Sequence, residues 1–342
     1  VRLTGLANQS GSAKARRSVF CQGSISITLR GETNSLRNTL RLFPLSNRNF
    51  LLAALLLSSL VVFTITKINS TAAAAQPQKT VVFAVSAESS LDAVVIVDGK
   101  QLRHPYTDEQ KDAQKSFGEK YFAGGKVYRL IFGGGENGTV KLDKWSEGCN
   151  NIHAEVTTST SAKLGGKVMA LATNSETLGK RASSRRAPTD SERAAVLTLM
   201  KSIYRQRRTP ASLIAEIKVS NLTATDLDGD GQVEFIGSFT LTTRGSSPTV
   251  REGSIKFERD LFLIAKPHGT AMIADFVKFQ AYQPPPEQYL YSIDFVDQLD
   301  LDGDGVGEVF ATQGGFDGYA YVIFKKVGGR WKDVYDQIGD AC

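Results

Sequence analysis

Three features of the 342-residue sequence predict a mainly β chain with one prominent helix, in the α+β class. Short runs rich in Val, Ile, Phe and Tyr alternate with polar residues between Gly, Pro and Asp turns. One segment carries apolar residues at helical spacing behind a capping signal. An acidic, glycine-kinked motif occurs twice, starting at residues 226 and 300, and each copy is framed by strand-like runs. The repeat predicts blade-like antiparallel β units that do not make a complete propeller, because closure takes at least about four blades. The two units are therefore expected to pack on each other, on the helix or on the region before them.

Residues 1–75 read as a leader. The apolar run 50–66 follows Arg37, Arg41 and Arg48 and precedes Thr71-Ala-Ala-Ala-Ala-Gln76, which holds an Ala-x-Ala pattern. That is the layout of a secretory signal peptide cleaved near Ala75. The run is also close to the length of an uncleaved membrane anchor. Under either reading the basic flank stays in the cytoplasm. The remainder is exported to the periplasm, the cell surface or the medium, and meets a membrane only through an uncleaved leader. The chain opens on Val1 and has no Met before Met169, which points to a non-ATG start. The leader holds nine Lys and Arg against one acid, so the whole-chain charge of +6 leaves −2 on residues 76–342. The basic balance belongs to the leader and makes no case for nucleic acid. Cys149 and Cys342 lie beyond it. An exported chain with two cysteines allows one disulfide, the alternative being two free thiols.

Residues 76–180 read as a β-rich domain. Its predicted strands are Thr80–Val85, Ala93–Val97, Val127–Phe132, Thr139–Leu142 and Lys167–Ala172, and Thr107–Phe117 is a predicted helix. Gly133-Gly-Gly135-Glu-Asn-Gly138 fits G-x-G-x-x-G, but a dinucleotide site needs a helix to open at that loop. Here Asn137-Gly138 signals a hairpin and strand-forming residues follow.

Residues 181–210 read as a basic linker and a packing helix. Lys180-Arg-Ala-Ser-Ser-Arg-Arg186 is expected to be a solvated, protease-sensitive loop. Pro188-Thr-Asp-Ser-Glu192 opens a helix over Asp190–Arg207, with Val196, Leu199, Met200 and Ile203 at i, i+3, i+4 and i+7. Arg205, Arg207 and Arg208 suit the negative end of its dipole. Its stripe is expected to pack between the two β regions.

In residues 211–342 each unit reads as strand, acidic loop and three further strands. Leu213–Val219 and Val233–Leu241 frame the first loop, with Asp260–Ala265 and Ile273–Tyr282 after them. Tyr289–Val296 and Val309–Thr312 frame the second, with Gly318–Phe324 and Trp331–Tyr335 after them; Pro284-Pro-Pro286 separates the units. The loops themselves are Asp226-Leu-Asp228-Gly-Asp230-Gly-Gln232-Val-Glu234 and Asp300-Leu-Asp302-Gly-Asp304-Gly-Val306-Gly-Glu308. Carboxylates at positions 1, 3, 5 and 9 repel one another unless a cation lies between them. A crowded, flexible oxygen shell suits Ca²⁺ better than Mg²⁺. Position 7, Gln232 or Val306, offers a backbone carbonyl whatever its side chain. Two Ca²⁺ sites are thus predicted. An EF-hand is excluded, since it needs a Glu at position 12 and flanking helices. That position holds Gly237 or Ala311, and the flanks read as strands.

Asp-x-Asp-Gly-Asp-Gly-x-x-Glu followed by an apolar strand resembles the calcium loop of FG-GAP/VCBS-type repeats, over about residues 211–342. Such repeats are blade-like antiparallel units of integrin propellers and many bacterial surface proteins, and more often carry Asp or Asn at position 9. The resemblance implies calcium used as a structural ion. It fits a non-enzymatic binding or adhesion-type module of the envelope with a protein or glycan ligand. His104, His153 and His268 have no partner at metal-ligand spacing, and no G-x-S-x-G is present. The competing reading is an exported hydrolase with its site in residues 76–180, the calcium repeats serving as scaffold. Asp108, Glu109, Glu119, Glu136 and Asp143 would supply its paired acids.

Overall fold

The computed structural model describes residues 79–86, 89–106, 111–148, 151–244, 255–282, 292–314 and 318–341. The expected leader, the Cys149–Cys342 pair, Asp108, Glu109 and the triple proline lie outside the described residues.

The first β region closes on itself. Strands β1 (Thr80–Val85), β2 (Ser90–Asp98), β4 (Val127–Phe132), β5 (Gly135–Glu147), β6 (Ile152–Thr160) and β7 (Ala170–Thr173) form an antiparallel barrel in the order β1-β7-β4-β5-β6-β2, with β2 pairing back to β1. The short β3 (Gln101–Arg103) extends the β2 edge. Alternate side chains of a strand face opposite sides. Val81, Phe83, Val85, Leu91, Leu130 and Val140 accordingly point inward, while Val82, Ala84, Val94, Ile131 and Leu171 form an apolar outer face. Helix α1 (Lys111–Tyr121) plugs the interior with Phe117 and Tyr121, and Phe122 follows them in. The helix runs past its predicted end at Phe117 because Tyr121 is a core residue. The expected hairpin at Asn137-Gly138 is displaced. The chain turns at Gly133-Gly134, whose φ angles of 61° and 77° are those of a two-residue type I′ turn. Asn137 and Gly138 lie inside β5, and Asn137 Oδ1 accepts from Thr160 and Ser161.

Residues beyond the helix α2 (Asp190–Gln206) build two four-stranded meanders. The first blade is β8 (Lys218–Thr225), β9 (Glu234–Arg244), β10 (Ile255–His268) and β11 (Ala271–Tyr282). The second is β12 (Ser292–Leu299), β13 (Glu308–Gly314), β14 (Gly318–Val327) and β15 (Arg330–Ala341). Several strands run past their predicted ends, β10 spanning Ile255–His268 against the expected Asp260–Ala265, and one predicted stretch changes type. Residues 211–216 form a 3₁₀ turn behind Pro210 rather than a strand, so the first strand starts only at Lys218. Pro210 has φ −54°, which suits entry into that turn.

Each blade is apolar on both faces, and this dictates a stack. Ile236, Phe262 and Ile264 of the first blade pack on Phe295, Val309, Val322 and Phe324 of the second. The other face of the second blade, with Val296, Phe310, Tyr321 and Ile323, covers the barrel's apolar outer wall. The other face of the first blade takes Val196, Met200, Ile203 and Tyr204 of α2. The order is therefore barrel, second blade, first blade, helix. The helix caps the stack; it does not lie between the two β regions as expected.

The basic linker is exposed at Lys180, Ala182, Ser183 and Arg186, as expected of a solvated segment, but it is anchored rather than loose. The Arg185 side chain is 3% exposed; its guanidinium donates to the Met169 and Val296 carbonyls, lies 3.5 Å from the fully buried Asp297 carboxylate, and is sandwiched between the rings of Phe132 and Phe295. Arg186 exchanges two backbone hydrogen bonds with Ala224 of β8 and pairs through its side chain with Glu192. The segment is pinned because it crosses from the barrel to the first blade along the edge of the second.

Candidate metal centre

Both acidic loops close on themselves by the same hydrogen bonds. In the first, Asp226 accepts from the N–H of Gly229 (2.7 Å) and of Gly231 (3.0 Å), Asp230 from Gln232 (2.7 Å), and Glu234 from Leu227 (2.8 Å). In the second, Asp300 accepts from Gly303 (2.8 Å) and Gly305 (3.1 Å), Asp304 from Val306 (2.9 Å), and Glu308 from Leu301 (2.7 Å). The four loop glycines have φ between 72° and 93°, a region costly for any side chain, and this curl aims their N–H groups at the first Asp.

The curl draws carboxylates together. Single carboxylate oxygens of Asp226, Asp228 and Glu234 lie within 4.8 Å of one another, as do those of Asp300, Asp302 and Asp304. Two ligands on one Ca²⁺ ion, each at about 2.4 Å, are separated by at most about 4.8 Å, so both sets have the spacing and the oxygen chemistry that a hard cation requires. The structure does not gather all four predicted acids in either loop. Asp230 stands outside the first set and Glu308 outside the second. Gln232 and Val306 enter these bonds through their N–H groups.

The two loops differ in their neutralisation. Lys325 Nζ, on β14, lies 2.8 Å from Asp302, 2.5 Å from Glu308 and 3.6 Å from Asp304. Burial opposes its charge, but the bonds to Asp302 and Glu308 outweigh that and push its pKa up. Arg181 donates to the Gly305 carbonyl and reaches within 3.5 Å of Asp300. Among the described residues, no lysine or arginine pairs with the carboxylates of the first loop. Glu234 there is pushed up to about 7, by burial first and then by repulsion from Asp228, Asp226 and Asp230.

The loops touch. The N–H of Gly307 donates to the carbonyl of Leu227 at 2.7 Å, and the Arg181 guanidinium lies beside both Gly229 and Gly305. Sequence reasoning missed Lys325 and Arg181. Only the hairpin register reveals the first, since Val309 pairs with Phe324 and so sets Lys325 opposite Glu308.

Of the acids offered for a hydrolase, Glu119, Glu136 and Asp143 are described. Glu119 is exposed on α1, Glu136 is paired with Arg129 at 2.6 Å, and Asp143 accepts from Thr157 at 2.9 Å.

No protein-family model matches this chain, and no curated protein and no solved structure matches it significantly.

Proposed function

We propose that this chain is an exported calcium-binding protein of FG-GAP/VCBS-like repeats, a non-enzymatic binding or adhesion-type module of the cell envelope. One observation carries the reading. The first loop gathers Asp226, Asp228 and Glu234 within 4.8 Å, and among the described residues no lysine or arginine pairs with these carboxylates. Three carboxylates that close repel unless a cation joins them, so folding and ion binding are linked there. The stacked four-stranded blades support the repeat reading, because consecutive blades of a propeller pack face to face in this way. The outer faces that further blades would cover are taken by the barrel and α2. The ion is then a scaffold element, and a protein or glycan ligand is met by the surface it stiffens.

The test is a melting curve in calcium and in excess chelator. Binding to the folded state alone adds about 2.7 kcal/mol when free calcium is a hundredfold above Kd. Chelation should lower Tm, and Asp228→Ala should remove the part of the calcium dependence that the first loop contributes. A melting curve indifferent to chelator would remove the reading. Export is tested separately, by N-terminal mass analysis of the cell-associated and secreted protein.

A further inference from the structure

The two blades can be compared position by position, because their β-bulges fall at equivalent places. In the first blade Ile264 pairs with Phe276 and Ala265 with Ala274, which leaves Asp275 as the extra residue. In the second, Ile323 pairs with Tyr335 and Phe324 with Asp333, which leaves Val334. The next residue along each inner strand is a lysine. Lys266 stands opposite Glu234, since Ala265 pairs with Phe235, and Lys325 stands opposite Glu308. Each blade thus sets a lysine beside the closing glutamate of its acidic loop.

The lysines go different ways. Lys266 Nζ lies 3.2 Å from Asp275, and the same carboxylate accepts from Lys326 (3.1 Å) and from the Trp331 indole (2.8 Å). Val334 offers no such acceptor, and Lys325 turns into its loop. A bulge re-aims the side chain it displaces. An ammonium group has three donors, and Lys325 has Asp302, Glu308 and Asp304 around it.

We propose that the bulge residue decides how each loop is neutralised: Asp275 holds Lys266 away and leaves the first loop to a divalent cation, whereas Val334 leaves Lys325 to act as the resident cation of the second. The chain then takes one calcium ion, not the two its repeated motif predicts. This inference rests on the calcium reading of the first loop and adds what determines the stoichiometry.

Calorimetric titration of the full chain with calcium tests it, using the wild type, Asp228→Asn, Asp302→Asn, Lys325→Met and Val334→Asp. The expected counts are one equivalent for the wild type, none for Asp228→Asn, one for Asp302→Asn, and two for both Lys325→Met and Val334→Asp. Val334 is 38% exposed at the surface, so its variant guards against a folding failure of Lys325→Met. Two equivalents in the wild type would overturn the proposal, as would a single equivalent lost in Asp302→Asn. One equivalent in both Lys325→Met and Val334→Asp would overturn it too. No binding by the wild type with one equivalent in Lys325→Met would sink the calcium reading of the first loop but uphold the lysine as occupant of the second. No binding by any variant would overturn both.

Discussion

Arg185 shows how much one side chain holds. It sits between the rings of Phe132 in the barrel and Phe295 in the second blade, donates to carbonyls of both units, and faces Asp297, which has no solvent exposure. Asp297 in turn accepts from the N–H of Gly133 at the glycine turn of β4–β5. Removing one partner of such a pair strands the other charge in the interior, at a cost of about 3–5 kcal/mol. Arg185→Ala is therefore expected to lower unfolding free energy by that amount, measured by urea denaturation. A loss below about 1 kcal/mol, the range of an exposed ion pair, would show that the pair carries little. Nothing in Lys180-Arg-Ala-Ser-Ser-Arg-Arg186 marks its second arginine as buried. Burial here is set by two aromatic rings that lie more than fifty residues before it and more than a hundred after it.

At the scale of elements, local rules were legible and closure was not. Thr189 caps α2 as the Pro188-Thr-Asp-Ser-Glu pattern predicts, in a full capping box with Glu192. Glu192 also takes a two-pronged bond from Arg186, 2.8 Å on each side, and this bond first, then the Thr189 N–H, holds its carboxyl down to about 2 from the usual 4.5. A depressed carboxylate contributes stability that is fully present above the unfolded value and fades as pH falls through the folded one. Glu192→Gln should thus melt below the wild type at pH 7, and the gap should narrow as pH drops from 4.5 towards 2. A gap of constant size across that range would mean that charge has no part in the cap. Near-continuous runs of β-branched, aromatic and apolar residues, such as Thr80–Val85 and Val127–Phe132, stand where the sequence puts them. The Thr-rich β6 went unrecognised because only Ile152, Ala154 and Val156 of its inward face are apolar. Barrel closure depends on β2 pairing with β6 and β1 with β7, long-range contacts with no local signal. The acidic loops were legible residue by residue. The lysine beside each was not, because strand register and bulge position place it.

At the scale of the molecule, the two loops cannot be treated as independent. They belong to separate blades, which alone would make losses at Asp228 and Asp302 add. The Gly307–Leu227 hydrogen bond and the shared Arg181 guanidinium join them. The double variant Asp228→Ala, Asp302→Ala should therefore depart from the sum of the single changes by at least about 0.5 kcal/mol in denaturant unfolding. Strict additivity would show that the contact between the loops transmits nothing.

The stacking order has a consequence for the growing chain. The barrel is made before either blade, but its apolar wall of Val82, Val94, Ile131 and Leu171 waits for the second blade. Tyr335, near the far end of the described chain, closes that seam by donating to the carbonyl of Val94 at 2.6 Å. Until then the nascent protein carries two naked greasy faces, one on the barrel and one on the first blade. Such surfaces are what chaperones bind and what aggregation starts from. A chain ending at residue 282 should bind a hydrophobic dye and self-associate, whereas synthesis of the second blade acts as the latch that hides both faces in one step.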